Sequence, residues 1–215
     1  MRKPRVTVID YGLGNLLSVK RGFEYFDVDV TITSDPKTIL SSPRVVLPGV
    51  GAFPQGMKAL TELELIPVIK ELAKRGTPIL AICLGMQLIM ENSEEFEITT
   101  GLGLIPGSVI SIPNRSETGK VQKVPHIGWN SLLPAQKDSS WNSTLLQDNK
   151  IGDFVYFVHS YMAVPTVHQH RLADTYYGQQ LVSAVISKEN ITGCQFHPEK
   201  SGEQGLKVLK SFTKK

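Results

Sequence analysis

At 215 residues, 41% of them hydrophobic and 20% charged, the chain has the composition of a soluble globular protein, and residues 1–215 are expected to form a single domain. A formal charge of +3 without any Lys/Arg cluster excludes nucleic acid as an expected partner. The two cysteines, Cys83 and Cys194, make no secreted disulfide framework, and the apolar stretch behind the basic N-terminus is too short for a signal peptide. No run approaches the roughly 20 apolar residues of a membrane span, so the expectation is a cytoplasmic protein with no membrane partner.

In chain order, residues 6–9 read as a strand and 16–26 as a helix with apolar residues at helical spacing. Residues 28–33 alternate as a strand, and Ser34-Asp35-Pro36 supplies a helix N-cap with proline at the first helical position. A buried strand follows at 45–47. Residues 60–72 are helical, with Pro67 expected to mark a break between two helices. Residues 78–82 form a strand running directly into a helix over 85–91. Strands alternating with helices indicate βαβ units and a mostly parallel sheet covered on both faces.

The second half reads differently. Strands are expected at 109–112, 153–162, 171–177, 181–187 and 192–196, as antiparallel or mixed additions to the sheet, with a final helix over 202–214. Residues 114–120 and 135–149 look like exposed loops.

In open α/β sheets ligands bind at the carboxyl ends of the strands, which directs attention to the strand–helix junctions. At Ala81-Ile82-Cys83-Leu84-Gly85-Met86-Gln87, Cys83 ends an apolar strand and opens a helix, as in a nucleophile elbow. The helix start would offer N–H groups and a positive dipole to a thiolate and an oxyanion. The alternative is a buried structural cysteine.

A cysteine nucleophile needs a base held by a carboxylate. Cys194-Gln195-Phe196-His197-Pro198-Glu199 supplies both. If the chain stays extended, His197 and Glu199 point to one side, although a plain surface turn fits the same residues. Cys194, in mid-strand, is expected in the core. The third junction, Leu47-Pro48-Gly49-Val50-Gly51, is either an oxyanion loop or an ordinary strand-end turn.

Asp10-Tyr11-Gly12-Leu13-Gly14-Asn15 also follows a strand. Leu17 stands where a dinucleotide fingerprint requires its third glycine, so nucleotide binding is disfavoured. His126, His159, His168 and His170 lack metal-ligand spacing, and no metal or cofactor is expected.

Together these segments resemble the class I glutamine amidotransferases, whose triad is Cys, His and Glu in this order. Pro125-His126-Ile127-Gly128-Trp129-Asn130 and Tyr156-Phe157-Val158-His159-Ser160-Tyr161 are similar to motifs of one subfamily, the glutaminase subunits of imidazole glycerol phosphate synthases. The resemblance implies a flavodoxin-like three-layer α/β sandwich and a catalytic triad of Cys83, His197 and Glu199. It implies an oxyanion hole from the N–H groups of Val50 and Leu84, and L-glutamine held by Gly51, Gln87, Ser160 and Tyr161. Asn15, Trp129, Tyr156 and Lys200 match positions facing a (β/α)8-barrel synthase subunit that receives the ammonia for histidine biosynthesis. Some relatives of this kind instead aminate a surface-polysaccharide sugar precursor, and a free-standing cysteine hydrolase or a non-catalytic binding protein are more distant alternatives. Ala81 departs from the family, which usually has glycine there, and Ser160 replaces a commoner threonine while keeping the hydroxyl. Because free ammonia is lost to water, the isolated subunit is expected to be nearly inactive, its Gly49–Val50 loop misoriented until the partner docks.

Overall fold

The computed structural model describes residues 3–115, 119, 121–136 and 140–215. In chain order they form β1 (Arg5–Ile9), α1 (Leu16–Glu24), β2 (Asp29–Thr33), α2 (Pro36–Leu40), β3 (Val45–Gly49), α3 (Phe53–Glu62) and α4 (Leu65–Lys74). Next come β4 (Ile79–Cys83), α5 (Leu84–Leu88), β5 (Asn92–Ser93), β6 (Thr99–Thr100), β7 (Gly107–Ser111), β8 (His126–Ser131) and β9 (Leu133–Pro134). The rest are β10 (Phe154–His159), β11 (Tyr161–Pro165), β12 (Arg171–Tyr177), β13 (Gln180–Lys188), β14 (Ile191–Cys194) and α6 (Gly202–Phe212), with 3₁₀ turns at His168–His170 and Pro198–Lys200.

The main sheet has the order β2-β1-β3-β4-β14-β13-β12-β9. Its first five strands are parallel and its last three antiparallel. β3 and β4 are buried along their whole length, which is why they read as continuous apolar runs rather than as alternating strands. Two cores follow from the alternation of side chains across the sheet. Val45, Leu47 and Ile79 pack with α3 and α4 on one face, while Val46, Leu80 and Ile82 pack with α1 and α6 on the other. The result is the expected three-layer α/β sandwich. The Asp35 cap forms as read, its carboxylate accepting from Thr38 N at 2.8 Å with Pro36 opening α2.

Several expectations need correction. The break in the 60–72 region falls at Leu63–Glu64, where Glu64 takes a left-handed φ of 54°. Pro67 sits in the first turn of α4, where its missing N–H costs no helical bond. The run 153–162 is two strands, β10 and β11, in different sheets. β10 pairs with β8 as a two-stranded ribbon, and β11 joins a four-stranded sheet of order β11-β7-β5-β6. The antiparallel second half therefore extends the main sheet only in part, and β8 itself was not anticipated. The helix after Cys83 stops at Leu88, and β14 ends at Cys194, short of Phe196. The 135–149 segment is not simply exposed: Trp141, Leu145 and Leu146 are buried in the second core, and Trp141 Nε1 donates to Leu172 O at 3.2 Å. Parts of both loops, residues 116–118, 120 and 137–139, lie outside the described residues. Among the described residues no helix is long and apolar enough to cross a membrane.

Candidate active site

Parallel pairing brings the three junctions together. Gly49 at the end of β3 is in register with Cys83 at the end of β4, and Ile82 with Cys194 at the end of β14. Each strand therefore delivers its following residues to the same carboxyl edge.

At that edge Cys83 adopts φ 53° and ψ −108°, a backbone rarely tolerated by a residue with a side chain, and Leu84 begins α5 directly. This is the sharp strand–turn–helix of a nucleophile elbow. The turn requires Gly85, since a Cβ there would collide with the Leu47 carbonyl oxygen. Gly49 is similarly constrained, because a Cβ would run into the Tyr11 hydroxyl. Ala81, the departure from the family, is fully buried and faces Leu47 and Gly193 on the neighbouring strands, so its extra methyl is accommodated in the core.

His197 and Glu199 meet as expected, but by a different path. The chain does not stay extended: His197 has φ −96° and ψ 97°, after which Pro198–Lys200 turn as a 3₁₀ helix. That turn brings Glu199 Oε1 to 2.8 Å from His197 Nδ1, with both side chains almost fully buried. Burial works to lower the His197 pKa, but the nearby Cys83 sulfur and the hydrogen-bonded Glu199 carboxylate outweigh it and push the pKa up to about 10. His197 Nε2 makes no hydrogen bond of normal geometry. The 3₁₀ turn is tied to β10 by Ser201. His197 N donates to Tyr156 O at 3.0 Å and Tyr156 N to Ser201 Oγ at 2.9 Å, while the Ser201 hydroxyl donates to His197 O at 2.6 Å.

Cys83 and His197 line a cleft of about 380 Å³. Cys83, Leu84 and Gln87 form one wall, with Val50 and Gly51 beside them. Ser160, Tyr161 and His197 complete it, and Glu95 is part of the lining too. Every residue expected to bind substrate or an oxyanion is thus brought together. Asn15, Trp129, Tyr156 and Lys200 lie outside the cleft. Trp129 and Tyr156 are a cross-strand pair, ring centroids 6.0 Å apart, on the outer face of the β8–β10 ribbon. Lys200 is exposed and Asn15 partly so.

Three side chains escaped the sequence reading. Glu95, buried at the cleft, accepts from Phe53 N at 2.7 Å and so caps α3 from a remote loop. Gln195 touches the sulfur, and Ser201 anchors the His197 turn. Only Gln195 stood inside a recognised motif, and nothing in spacing marked its role. Cys194 is fully buried, as expected, and burial drives its thiol pKa up beyond the usual range.

Residues 7–215 match the family model "Glutamine amidotransferase class-I". The chain belongs to the class I glutamine amidotransferases. Within this family, the "Imidazole glycerol phosphate synthase subunit HisH 1" of Legionella pneumophila (strain Lens) is 52% identical over 207 residues, covering 96% of this chain and 97% of that protein. The "Imidazole glycerol phosphate synthase subunit HisH" of Bacillus cereus (strain ATCC 14579) is 46% identical over 209 residues, covering 96% and 93%. Among solved structures, one described as "Crystal structure of glutamine amidotransferase" superposes with a TM-score of 0.72 at 12% identity, covering 97% of each chain, and so shares the amidotransferase fold.

Proposed function

We propose that the chain is the glutaminase subunit of an imidazole glycerol phosphate synthase, hydrolysing L-glutamine to glutamate and ammonia for histidine biosynthesis. The observation that carries this is the Cys83 elbow opening into one cleft with the His197–Glu199 pair, in a chain 52% identical to a synthase subunit over nearly its whole length. The synthase name borne by relatives at 45–52% identity favours histidine biosynthesis over the polysaccharide use.

In this reading Cys83 attacks the glutamine carboxamide carbon, and the oxyanion accepts hydrogen bonds from Leu84 N–H and Val50 N–H. His197 carries the proton that the thiol gives up, so it has one ready for the departing ammonia; that leaves a γ-glutamyl thioester. Neutral His197 then takes a proton from water as the water attacks the thioester, and returns it to the sulfur as glutamate leaves. Glu199 holds the ring by its Nδ1–H throughout. Glu95 lines the same cleft, and its carboxylate would serve as a counter-charge to the substrate's α-ammonium group. Ammonia leaves toward a (β/α)8-barrel subunit docked on the outer face of the β8–β10 ribbon. There Ile127, Trp129 and Phe154 are all more than half exposed, with Tyr156 paired across the strands to Trp129, and Asn15 and Lys200 would face the same partner. An apolar face of this kind on a two-stranded ribbon is the expected centre of a binding patch.

The test is Cys83→Ala in the complex with the barrel subunit. Glutamine-dependent ring formation is expected to vanish while formation from added ammonium salt persists. Loss of both would make Cys83 structural, and loss of neither would end the nucleophile assignment. In the same assay the unaltered chain without its partner should turn over glutamine very slowly.

A further inference from the structure

We propose that Gln195 is a positioning residue for the nucleophile, its side-chain N–H donating to Cys83 Sγ and holding the sulfur for attack. This rests on the glutaminase reading for its purpose, but not for its geometry. Gln195 Nε2 lies 3.8 Å from Cys83 Sγ, and Gln195 is fully buried.

The orientation of its amide is dictated by neighbours. Tyr161 O is a carbonyl and can only accept, so Gln87 must turn its nitrogen toward it, at 3.0 Å. The second hydrogen of the same Gln87 nitrogen goes to Gln195 at 3.1 Å, which forces Gln195 to present Oε1 there. Only the Gln195 nitrogen is then left to face the sulfur.

The chain continues beyond Tyr161. His159 Nδ1 lies 2.8 Å from Tyr161 O and must donate to it, so in the neutral ring His159 Nε2 accepts from His126 Nδ1, 2.9 Å away. Burial, the largest influence on each, keeps both rings neutral, with pKa values pushed down to about 4 for His126 and about 3 for His159. His126 is itself clamped between the Phe157 and Tyr177 rings. Tyr161 O thus accepts from both sides, from His159 and from Gln87, and it is this carbonyl that fixes the Gln87 amide and, through it, which atom Gln195 offers to Cys83. A donor at that place favours the sulfur anion over the thiol and restricts the rotation of the Cys83 side chain.

The probe is iodoacetamide alkylation of Cys83 in the full chain, followed by mass spectrometry of the Cys83 peptide from pH 5 to 10. Buried Cys194 serves as the unreactive control. In Gln195→Met, the pH at which alkylation reaches half its maximum should rise by about one unit, so that alkylation slows about tenfold on the acid limb while the rate at pH 10 stays within about twofold, since one pH unit of displacement is a factor of ten. The other ionisable groups around the sulfur, Tyr11, His159, His197 and Glu199, are unchanged by this substitution. In the assembled enzyme kcat for glutamine should fall with KM within about threefold. Superimposable pH profiles for a folded Gln195→Met variant would overturn the proposal.

Should that variant not fold, the unaltered chain decides. The side-chain NH2 resonance of Gln195 should move with pH over the range in which Cys83 becomes reactive, and should stop doing so in Cys83→Ala. A resonance indifferent to Cys83 overturns the proposal. Because alkylation needs neither glutamine nor partner, failure here is separable from failure of the glutaminase reading, which the Cys83→Ala assay reports.

Discussion

Glu199 illustrates how much one carboxylate controls. It lies nearly dry against His197, and its charge is one of the two influences that keep the imidazole protonated. Glu199→Gln keeps the shape but removes the charge and can present an N–H to Nδ1, favouring the wrong tautomer. Equivalent changes in serine protease triads cost roughly 10⁴ in turnover, so a fall in kcat of about 10²–10⁴ is expected here. Steady-state glutaminase assays of the complex would check it, and KM should change little because Glu199 lies behind His197 rather than in the cleft lining. The sequence put this pair within reach of each other, although a surface turn fitted the same His-Pro-Glu run. The 3₁₀ turn itself was not legible, because a 3₁₀ helix and an extended strand are both compatible with proline's fixed φ.

At the level of elements, the decisive joint is between β10 and the turn that follows His197. Ser201 Oγ accepts from Tyr156 N and donates to His197 O, with Ser201 itself buried. Ser201→Ala would leave the Tyr156 N–H without its partner, costing about 1–3 kcal/mol, while His197 O keeps its hydrogen bond from Lys200 N. Urea denaturation should show that loss as a lower midpoint at unchanged slope. Such joints explain what the sequence withheld. β3, β4 and α5 were legible because each signal is local: the apolar run of β3 ends on Gly49, and that of β4 ends on Cys83 with Gly85 just beyond. Ser201, Glu95 and Gln195 act on residues 45, 42 and 112 positions away, on Tyr156, Phe53 and Cys83 respectively, and pairing at that range leaves no trace in local spacing. The division of 153–162 between two sheets was hidden for the same reason: the run from Phe154 to Met162 is rich in strand-forming residues throughout, and only tertiary pairing shows that the partners change at Ser160.

For the whole molecule, the buried histidines set a pH optimum of stability. His126 and His159 have folded pKa values near 4 and 3, so as pH falls below about 6.5 the unfolded chain takes up protons that the folded chain refuses, and stability drops. His197 works in the opposite sense. Its folded pKa is raised, so its contribution is complete below about 6.5 and disappears as pH rises toward 10. Thermal melts of the isolated chain should therefore peak near pH 6–7, with two histidines making the acid limb steeper than the alkaline one. In Cys83→Ala, which removes one cause of the raised value, the alkaline decline should weaken.

The placement of β4 has a consequence for motion. This strand lies deep in the main sheet between β3 and β14, whereas β8 and β10 form a separate two-stranded ribbon with an open outer face. Native proteins open in pieces, and isolated ribbons open far more readily than central strands. The amides of β4 would thus exchange with solvent only when the entire chain unfolds, while those of the ribbon exchange through brief local excursions. The strained backbone at Cys83 is stored in the slowest-breathing part of the protein, and the exposed outer face of the ribbon in a part that opens more readily. A docking subunit that stills the ribbon would quieten one side of the cleft while the other was never in motion.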